Sequence, residues 1–269
     1  GLHQLVEVKE GVEVTSRKIT IARITYQRFF GRYKALSGMT GTGKEIAGEL
    51  NGVFGLKNMA VPTRKRSRMR FMGTRVYRTQ EAKWQAVANR VIALMEAGRP
   101  VLVGTRSVIA SQAASEALEA AGIAHEVLNA LEDANEAEII AQAGQKGQVT
   151  VATNMAGRGV HISLGEGVSE AGGLHVILTE RHDSSRIDRQ LQGRTARQGH
   201  PGSVEAILGE DDQIMSNVET PILDRLSRMA GPFRNGLQRI KFRKAQRRAE
   251  KINARARRSL LAHDRQLQS

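Results

Sequence analysis

Between residues 99 and 208, short apolar runs alternate with stretches in which apolar residues recur at helical spacing. The run from Pro100 to Gly104 is typical of a buried strand, and Ser107 is placed to cap a helix that Gly122 ends. Strands and helices in strict succession predict an α/β fold, a mostly parallel sheet with helices on both faces. The same pattern predicts strands at 125–128, 149–153, 174–179 and 204–208 and helices at 135–142 and 184–193.

The flanking segments carry other patterns. Upstream, 18–24 looks strand-like and 26–34 helical, and Val76 and Tyr77 form a short first strand before a helix at 80–97. The α/β domain then covers about 72–215. Downstream, a long polar helix is predicted from 234 to 267, with a narrow apolar stripe suited to close packing on another helix. The stripe contains Phe242, Ala245, Ala249, Ile252, Ala256 and Leu260.

Composition narrows the class of protein. The 269 residues are 40% hydrophobic and 25% charged, which is typical of a folded domain. The sequence has no cysteine, which excludes disulfides, thiolate metal sites and a cysteine nucleophile and makes the cytoplasm the expected compartment. No apolar run approaches the ~20 residues that span a bilayer, and no export signal is visible. Because the sequence begins with Gly1, we expect it to be a piece of a longer protein.

The basic charge is concentrated in the tail. The net charge is +14, and residues 221–269 contribute +11 of it from 14 basic and 3 acidic side chains. A second basic cluster lies at 64–70. Such charge attracts nucleic acid, an acidic membrane or an acidic protein, and charge alone does not distinguish among these partners. With aromatic residues at 4%, base-stacking platforms are scarce, so nucleic acid is not the favoured partner.

The segment from Gly38 to Lys44 matches the glycine-rich spacing of a Walker A phosphate loop. The following residue is Glu45, whereas that loop needs Ser or Thr to hold Mg²⁺. The preceding residues also look helical rather than strand-like. We therefore interpret this segment as a tight turn at a strand end.

A second glycine-rich segment, Thr153 to Gly159, follows a predicted strand and is a candidate phosphate site. Its glycines allow close backbone approach, and Arg158 offers a planar donor fork. Ligands of parallel sheets bind at the carboxyl ends of strands. We assign Gly157, Arg158 and Gly159 to cofactor binding, with an exposed turn as the alternative.

The segment from Gln190 to Gly199 ends a predicted helix. Arg194 and Arg197, three residues apart, lie on one helical face and are able to reach one polyanion, although a solvated charged face is the alternative. With Arg158 they place three arginines along one predicted sheet edge. That arrangement suits stabilisation of charge on a transferring phosphate, so we interpret Arg194 and Arg197 as catalytic.

These two segments resemble motifs V and VI of superfamily 2 helicase-type motors. More specifically, the chain resembles the SecA family, the ATPases of bacterial preprotein translocation, strongly over residues 1 to about 215 and weakly over the tail. Other segments follow SecA order: Gly1–Gln4, Glu7–Gly11, Ile24–Phe30, Ser37–Thr42, Val101–Thr105, Asn135–Ala137, Ala171–His175 and Glu180–His182.

The resemblance implies a division of the chain. Residues 1–44 would be the end of the preprotein-binding and first motor region, with 38–42 as the motif III turn. Residues 45–215 would be the second RecA-like nucleotide-binding domain, and 216–269 a basic helical scaffold. The implied cofactor is ATP, with Mg²⁺ held by the absent first domain, because Walker A and B precede this stretch in the family. The fragment alone is therefore expected to be inactive.

The sequence departs from the family at the nucleotide site. Where motif V of the family continues Thr-Asp, this chain has Val160 and His161, so an imidazole replaces the aspartate expected to contact nucleotide. Motif VI keeps Gln198 in register, whereas His200 replaces an acidic residue. By the resemblance, His161 and Gln198 belong to the cofactor-binding set. The divergence points to a specialised or accessory member.

The implied partners are a preprotein, a membrane channel, an acidic lipid surface and the chain's own first motor half, with a homodimer as a further candidate. The implied location is the cytoplasm, peripherally at the cytoplasmic membrane. Two alternatives stay open. One is a nucleic-acid helicase or binding module of the same motor fold, and the other is a SecA-like regulator that does not hydrolyse ATP.

Overall fold

The computed structural model describes residues 2–13, 24–128, 136–153, 156, 159–217 and 234–266. Six strands form one sheet, and every neighbouring pair is parallel. In chain order the strands are β1 (Arg68–Tyr77), β2 (Val101–Thr105), β3 (Glu126–Leu128), β4 (Val149–Thr153), β5 (His175–Leu178) and β6 (Pro201–Gly209), and their order in space is β1-β6-β5-β2-β4-β3.

Eight α-helices accompany the sheet in the described part of the chain. They are α1 (Leu2–Lys9), α2 (Tyr26–Phe30), α3 (Ala47–Phe54), α4 (Gln80–Glu96), α5 (Val108–Ala120), α6 (Glu136–Gln142), α7 (Ser185–Gln192) and α8 (Arg234–Gln266). Short 3-10 turns lie at Lys44–Ile46, Arg197–Gly199 and Gln213–Asn217.

Side-chain caps define where α4 and α5 begin. The hydroxyl of Thr79 accepts a hydrogen bond from the Ala82 amide at 3.2 Å, and that of Ser107 accepts one from Ala110 at 3.1 Å. Gly122, with φ +70, ends the turn after α5. Both helices therefore begin where the sequence places a hydroxyl, as predicted for Ser107.

The core has two apolar layers, one on each side of the sheet. Helices α4 and α5 cover one face, where Val91 and Leu118 belong to one buried cluster with Val103 and Ile177 of the sheet. Residues of α6, α7 and α8 cover the other, where Phe242 belongs to the buried cluster. This architecture confirms the predicted parallel α/β, RecA-like fold with helices on both faces and a long basic helix at its end.

One glycine sets the distance between α7 and the sheet. A Cβ on Gly104 of β2 would lie 2.3 Å from Cδ2 of Leu191, a distance that no side chain tolerates. Leu191 itself is buried. Gly104 therefore lets α7, and the segment that follows it, lie directly on the sheet.

Some predicted bounds need correction. The first strand extends over ten residues rather than two, because Arg68 to Met72 add a basic and exposed start to it. The helix predicted to reach residue 34 ends at Phe30, since Gly31 caps it with its amide on the Gln27 carbonyl at 3.0 Å. The predicted strand at 18–24 lies outside the described residues except for Ile24. The boundaries 1–44, 45–215 and 216–269 stay a prediction.

Candidate functional site

The connection from β4 to β5 crosses a face of the sheet, because both strands point the same way. It begins at the carboxyl end of β4, where the Ala156 amide donates to Oγ1 of Thr153 at 3.4 Å. Further on, the Gly165 amide donates to the Gly144 carbonyl at 3.0 Å, just before β4 begins. Gly144 is needed there, since a Cβ would lie 1.9 Å from the Ser163 carbonyl oxygen.

The turn after α7 carries the second set of candidate residues. The Thr195 hydroxyl donates to the Leu174 carbonyl at 2.6 Å, which holds the turn next to the start of β5. Ala196 and Gln198 have φ of 54 and 55, the only positive values among described residues other than glycine. Such left-handed conformations cost energy and are concentrated at functional sites. The strain makes this turn a candidate site independently of its motif.

Arg194 and Arg197 both reach the β4–β5 connection. Nη2 of Arg194 donates a hydrogen bond to the Ala156 carbonyl, and Nη1 of Arg197 donates one to the Val160 carbonyl at 3.3 Å. Arg197 also donates from Nε to the Gly193 carbonyl at 2.6 Å. The two guanidinium groups therefore converge on one loop from two positions on the α7–β6 turn.

The prediction that Arg194 and Arg197 lie on one helical face is wrong, because α7 ends at Gln192 and Ala196, between the two arginines, has a positive φ. The α7–β6 turn lies at the amino edge of the sheet, because α7 returns from the carboxyl end of β5 to the start of β6. The Arg194 side chain nevertheless reaches the Ala156 carbonyl, three residues after β4 ends, and that of Arg197 reaches Val160 further along the same loop.

The two arginines differ in environment. Arg194 is half-buried, and burial lowers its pKa, with the charge of Arg197 adding to the effect and that of Glu136 opposing it. Arginine nevertheless stays protonated in proteins. Arg197 is exposed. The pair concentrates positive charge at a place where one member is half-buried and the other is exposed to water.

A cleft of about 200 Å³ opens between these groups. It has room for phosphate groups but is smaller than the ~300–1,000 Å³ of a typical complete ligand pocket. Among its walls are His161, Arg194, Arg197, Gln198 and His200. His161 and Gln198 are exposed, so an imidazole and an amide stand beside the two guanidinium groups.

The remaining predicted site residues divide into two groups. Gly159 is exposed, with φ +89, on the same loop. Gly157 and Arg158 lie outside the described residues. No group of three metal-ligating side chains occurs within the described ranges.

Models of two protein families match the chain. The SecA P-loop domain matches residues 70–169 and 165–231, and the SecA DEAD-like domain matches residues 2–51. The chain belongs to the SecA family. Residues 38–44, which have the spacing of a Walker A loop, lie within the match to the DEAD-like domain and outside the match to the P-loop domain.

Curated relatives of this SecA-family chain carry translocase names. It is 46% identical to protein translocase subunit SecA 2 of Nitrosospira multiformis, over 99% of this chain and 40% of that protein. It is 46% identical to SecA 2 of Bordetella avium, over 100% of this chain and 41% of that protein. It is 45% identical to SecA of Maridesulfovibrio salexigens, over 98% of this chain and 32% of that protein. The chain thus spans well under half the length of these relatives.

A solved structure also resembles the chain. The E. coli DEAD-box protein SrmB, in complex with the regulator of ribonuclease activity A, aligns over 60% of this chain and 90% of its own. Its sequence identity is 21% and its TM-score 0.42.

In this SecA-family chain, sequence reasoning missed a polar cluster that holds α7 in place. The buried carboxylate of Asp188 accepts hydrogen bonds from the His182 ring at 2.8 Å, from Arg181 at 3.1 Å and from Gln246 of α8 at 2.8 Å. Burial would raise the pKa of Asp188, but these donors lower it. The signal was present, because Asp188 lies three residues before the buried Leu191, on the same helical face.

The segment at 42–49 also contacts α7 and α8. Nε2 of Gln190 donates to the Thr42 hydroxyl at 3.5 Å, and Glu45 forms an ion pair with Arg189. Glu49 accepts a bidentate pair from Arg257 at 2.7 and 3.0 Å. The segment that resembles motif III is therefore joined to the first residue of the motif VI segment.

Proposed function

We propose that this chain supplies the second nucleotide-binding domain of a SecA-type motor, which couples ATP hydrolysis to protein translocation across the cytoplasmic membrane. The observation that carries the proposal is the convergence of Arg194 and Arg197 on one loop, with His161 and Gln198 lining the same cleft. Two neighbouring cations suit stabilisation of charge on a phosphoryl group during transfer.

In this proposal, Arg194 and Arg197 bind the β- and γ-phosphates of ATP, which a first motor domain would hold on its other side together with Mg²⁺. The small size of the cleft agrees with a site completed by a second domain. Arg197 is exposed and bound to backbone carbonyls, so it is able to exchange these for phosphate oxygens. His161, Gly159 and Gln198 would contact the nucleotide beside them, and Gly157 and Arg158 would complete the loop.

The proposed partners follow from the family. They are a preprotein, the membrane channel, acidic lipid and the first motor half, with a homodimer as a further arrangement. The protein would act in the cytoplasm, peripherally at the membrane. No helix in the described ranges is both long and apolar enough to cross a bilayer. Helix α8, which contacts both the 42–49 segment and α7, would carry motion between the nucleotide site and the partners.

A chimera tests this function. This chain would replace the matching region of N. multiformis SecA 2, and ATPase activity would be measured with and without a preprotein. We expect the chimera to hydrolyse ATP and the isolated chain to have negligible activity. Either Arg194→Ala or Arg197→Ala should lower kcat by about a thousandfold, as removal of an arginine finger does.

The matched control is Arg258→Ala, an exposed arginine of α8 outside the cleft. It should leave kcat unchanged. Robust turnover by the isolated chain, or full activity of both cleft variants, would contradict the proposal.

A further inference from the structure

Strand β1 forms one edge of the sheet, and within the described ranges no strand pairs with its outer side. Its first five residues, Arg68 to Met72, are exposed on both faces. Met69 is 41% exposed, and Phe71 and Met72 are each 56% exposed. An edge of this kind presents unpaired backbone N–H and C=O groups next to apolar side chains, and is a template for another strand.

The two faces of this edge strand differ in chemistry. Because side chains alternate along a strand, Arg68 and Arg70 lie on one face and Met69 and Phe71 on the other. From residue 50 to residue 80 the sequence contains eight Lys and Arg and no Asp or Glu. A strand that complements β1 therefore carries carboxylates on one face and apolar side chains on the other.

A cleft of about 330 Å³ adjoins β1 at Phe71, and its walls include three arginines, Arg181, Arg239 and Arg243. The register of β1 against β6 shifts between Phe71 and Thr74, so that both residues line this cleft. Phe242 and Arg243 of α8 form part of the opposite wall. Arg239 donates to the Thr74 carbonyl at 2.8 Å and fixes α8 against the strand. The cleft is able to take one side chain of a segment bound along the edge.

The edge also lies beside the motif VI turn. A Cβ on Gly199 would lie 2.7 Å from Cδ of Lys65, and Arg68 pairs with Pro201 at the start of β6. A segment bound to β1 would therefore begin next to the turn that carries Arg194 and Arg197.

We propose that the outer edge of β1 binds an extended acidic polypeptide segment as an added strand, in which carboxylates alternate with apolar residues. The alternation of Arg with Met and Phe specifies this pattern, and a strand edge that pairs with no other described strand specifies a polypeptide. Acidic lipid would use the cations and the apolar side chains, and nucleic acid would use the cations, but neither would use the hydrogen-bonding edge of the strand. If the arginines only protect the edge against aggregation, no such segment binds.

Fluorescence anisotropy of a labelled peptide of alternating Glu and Val, titrated with the full 269-residue chain, tests the proposal. We expect saturable binding that weakens with salt, since exposed charges are screened. N-methylation of alternate residues of the peptide removes the hydrogen bonds to the edge and should weaken binding by at least about tenfold. The double variant Arg68→Glu, Arg70→Glu should do the same.

Control measurements identify what binds to the edge of β1. The control Arg258→Glu reverses an exposed charge on α8 and should retain binding. A peptide with Lys in place of Glu should not bind. The proposal would be overturned if the N-methylated peptide bound equally well, or if no peptide bound at all. It would also be overturned if duplex RNA or phosphatidylglycerol vesicles bound more tightly than the peptide and lost that binding in the double variant. Because no nucleotide is present, the result is independent of the ATPase test.

Discussion

A single buried carboxylate illustrates how individual residues are held in this fold. Glu205 in β6 accepts hydrogen bonds from Arg75 at 2.6 Å, from His175 at 2.9 Å and from Arg90. Burial alone would raise the pKa of Glu205, but these donors lower it to about 2. His175 is fully buried, and burial lowers its pKa, so it donates to Glu205 as a neutral ring at pH 7. The group thus stays ionised inside the sheet.

This pKa predicts a pH-dependent stability. A carboxyl whose folded pKa lies below its unfolded value of about 4.3 stabilises the protein above that pH, and the stabilisation is lost as the pH falls towards 2. Glu205→Gln should therefore lower the free energy of unfolding at pH 7 by about 3 kcal/mol. Urea denaturation should show that the difference in the free energy of unfolding between the variant and the wild type disappears as the pH falls from about 5 to about 2.

The exposed Glu126→Gln in β3 is the control and should change the stability little at any pH. If Glu205→Gln lowered the free energy of unfolding by the same amount at every pH, the low pKa of Glu205 would be contradicted.

At the scale of elements, α7 owes its position to another helix. Its flanking Ser184 makes no side-chain cap, and instead the carboxylate of Glu250 in α8 accepts from the amide and hydroxyl of Ser185, each at 2.7 Å. Gln246 donates to the His182 carbonyl at 2.9 Å. A carboxylate at a helix N-terminus also interacts favourably with the helix dipole. Helix α8 therefore holds the helix from which the motif VI turn begins.

Removing this charge should loosen α7. Glu250→Gln keeps the shape but weakens the acceptor, at a cost of about 1 kcal/mol, as for loss of a helix cap. Hydrogen exchange should accelerate for the amides of α7 and the following turn, with little change in α4 and α5. Arg255→Gln, an exposed charge one turn further along α8, is the control and should change none of these rates. A uniform acceleration in all helices would indicate global destabilisation instead.

The elements also show what sequence alone is able to predict. Strands β2 and β4 are short, mostly apolar runs that are buried throughout, and the helix after Ser107 has its own cap, so local pattern was sufficient for them. The start of β1 alternates Arg with Met and Phe, a strand signal hidden within a basic cluster. The cap of α7 comes from a residue 65 positions away, which no local pattern encodes.

The same distinction applies to the candidate site. The motifs selected Arg194, Arg197, His161 and Gln198, and all four line one cleft. The path of the β4–β5 loop across the sheet depends on its packing at Gly144 and was not predicted. The positive φ of Ala196 is equally invisible to sequence patterns, because alanine rarely adopts it.

At the scale of the whole molecule, α8 has two different halves. The predicted apolar stripe is buried only at Phe242, Ala245 and Ala249, and the first two belong to the apolar core on that side of the sheet. Further along, Ile252 is 50% exposed and Leu260 45% exposed. The first half of α8 therefore belongs to the α/β core, and the second half extends from it.

Paired substitutions test this division. Phe242→Ala should lower the free energy of unfolding by about 3 kcal/mol, because it leaves a cavity beneath the helix. Ile252→Ala, ten residues further along the same helix, should change it by less than about 0.5 kcal/mol, as an exposed substitution does. Both values would come from urea denaturation followed by circular dichroism. Equal effects would mean that α8 packs uniformly along its length. A large effect at Phe242 alone would leave the outer half, with its exposed Ile252 and Leu260, as surface for the rest of a SecA-type motor.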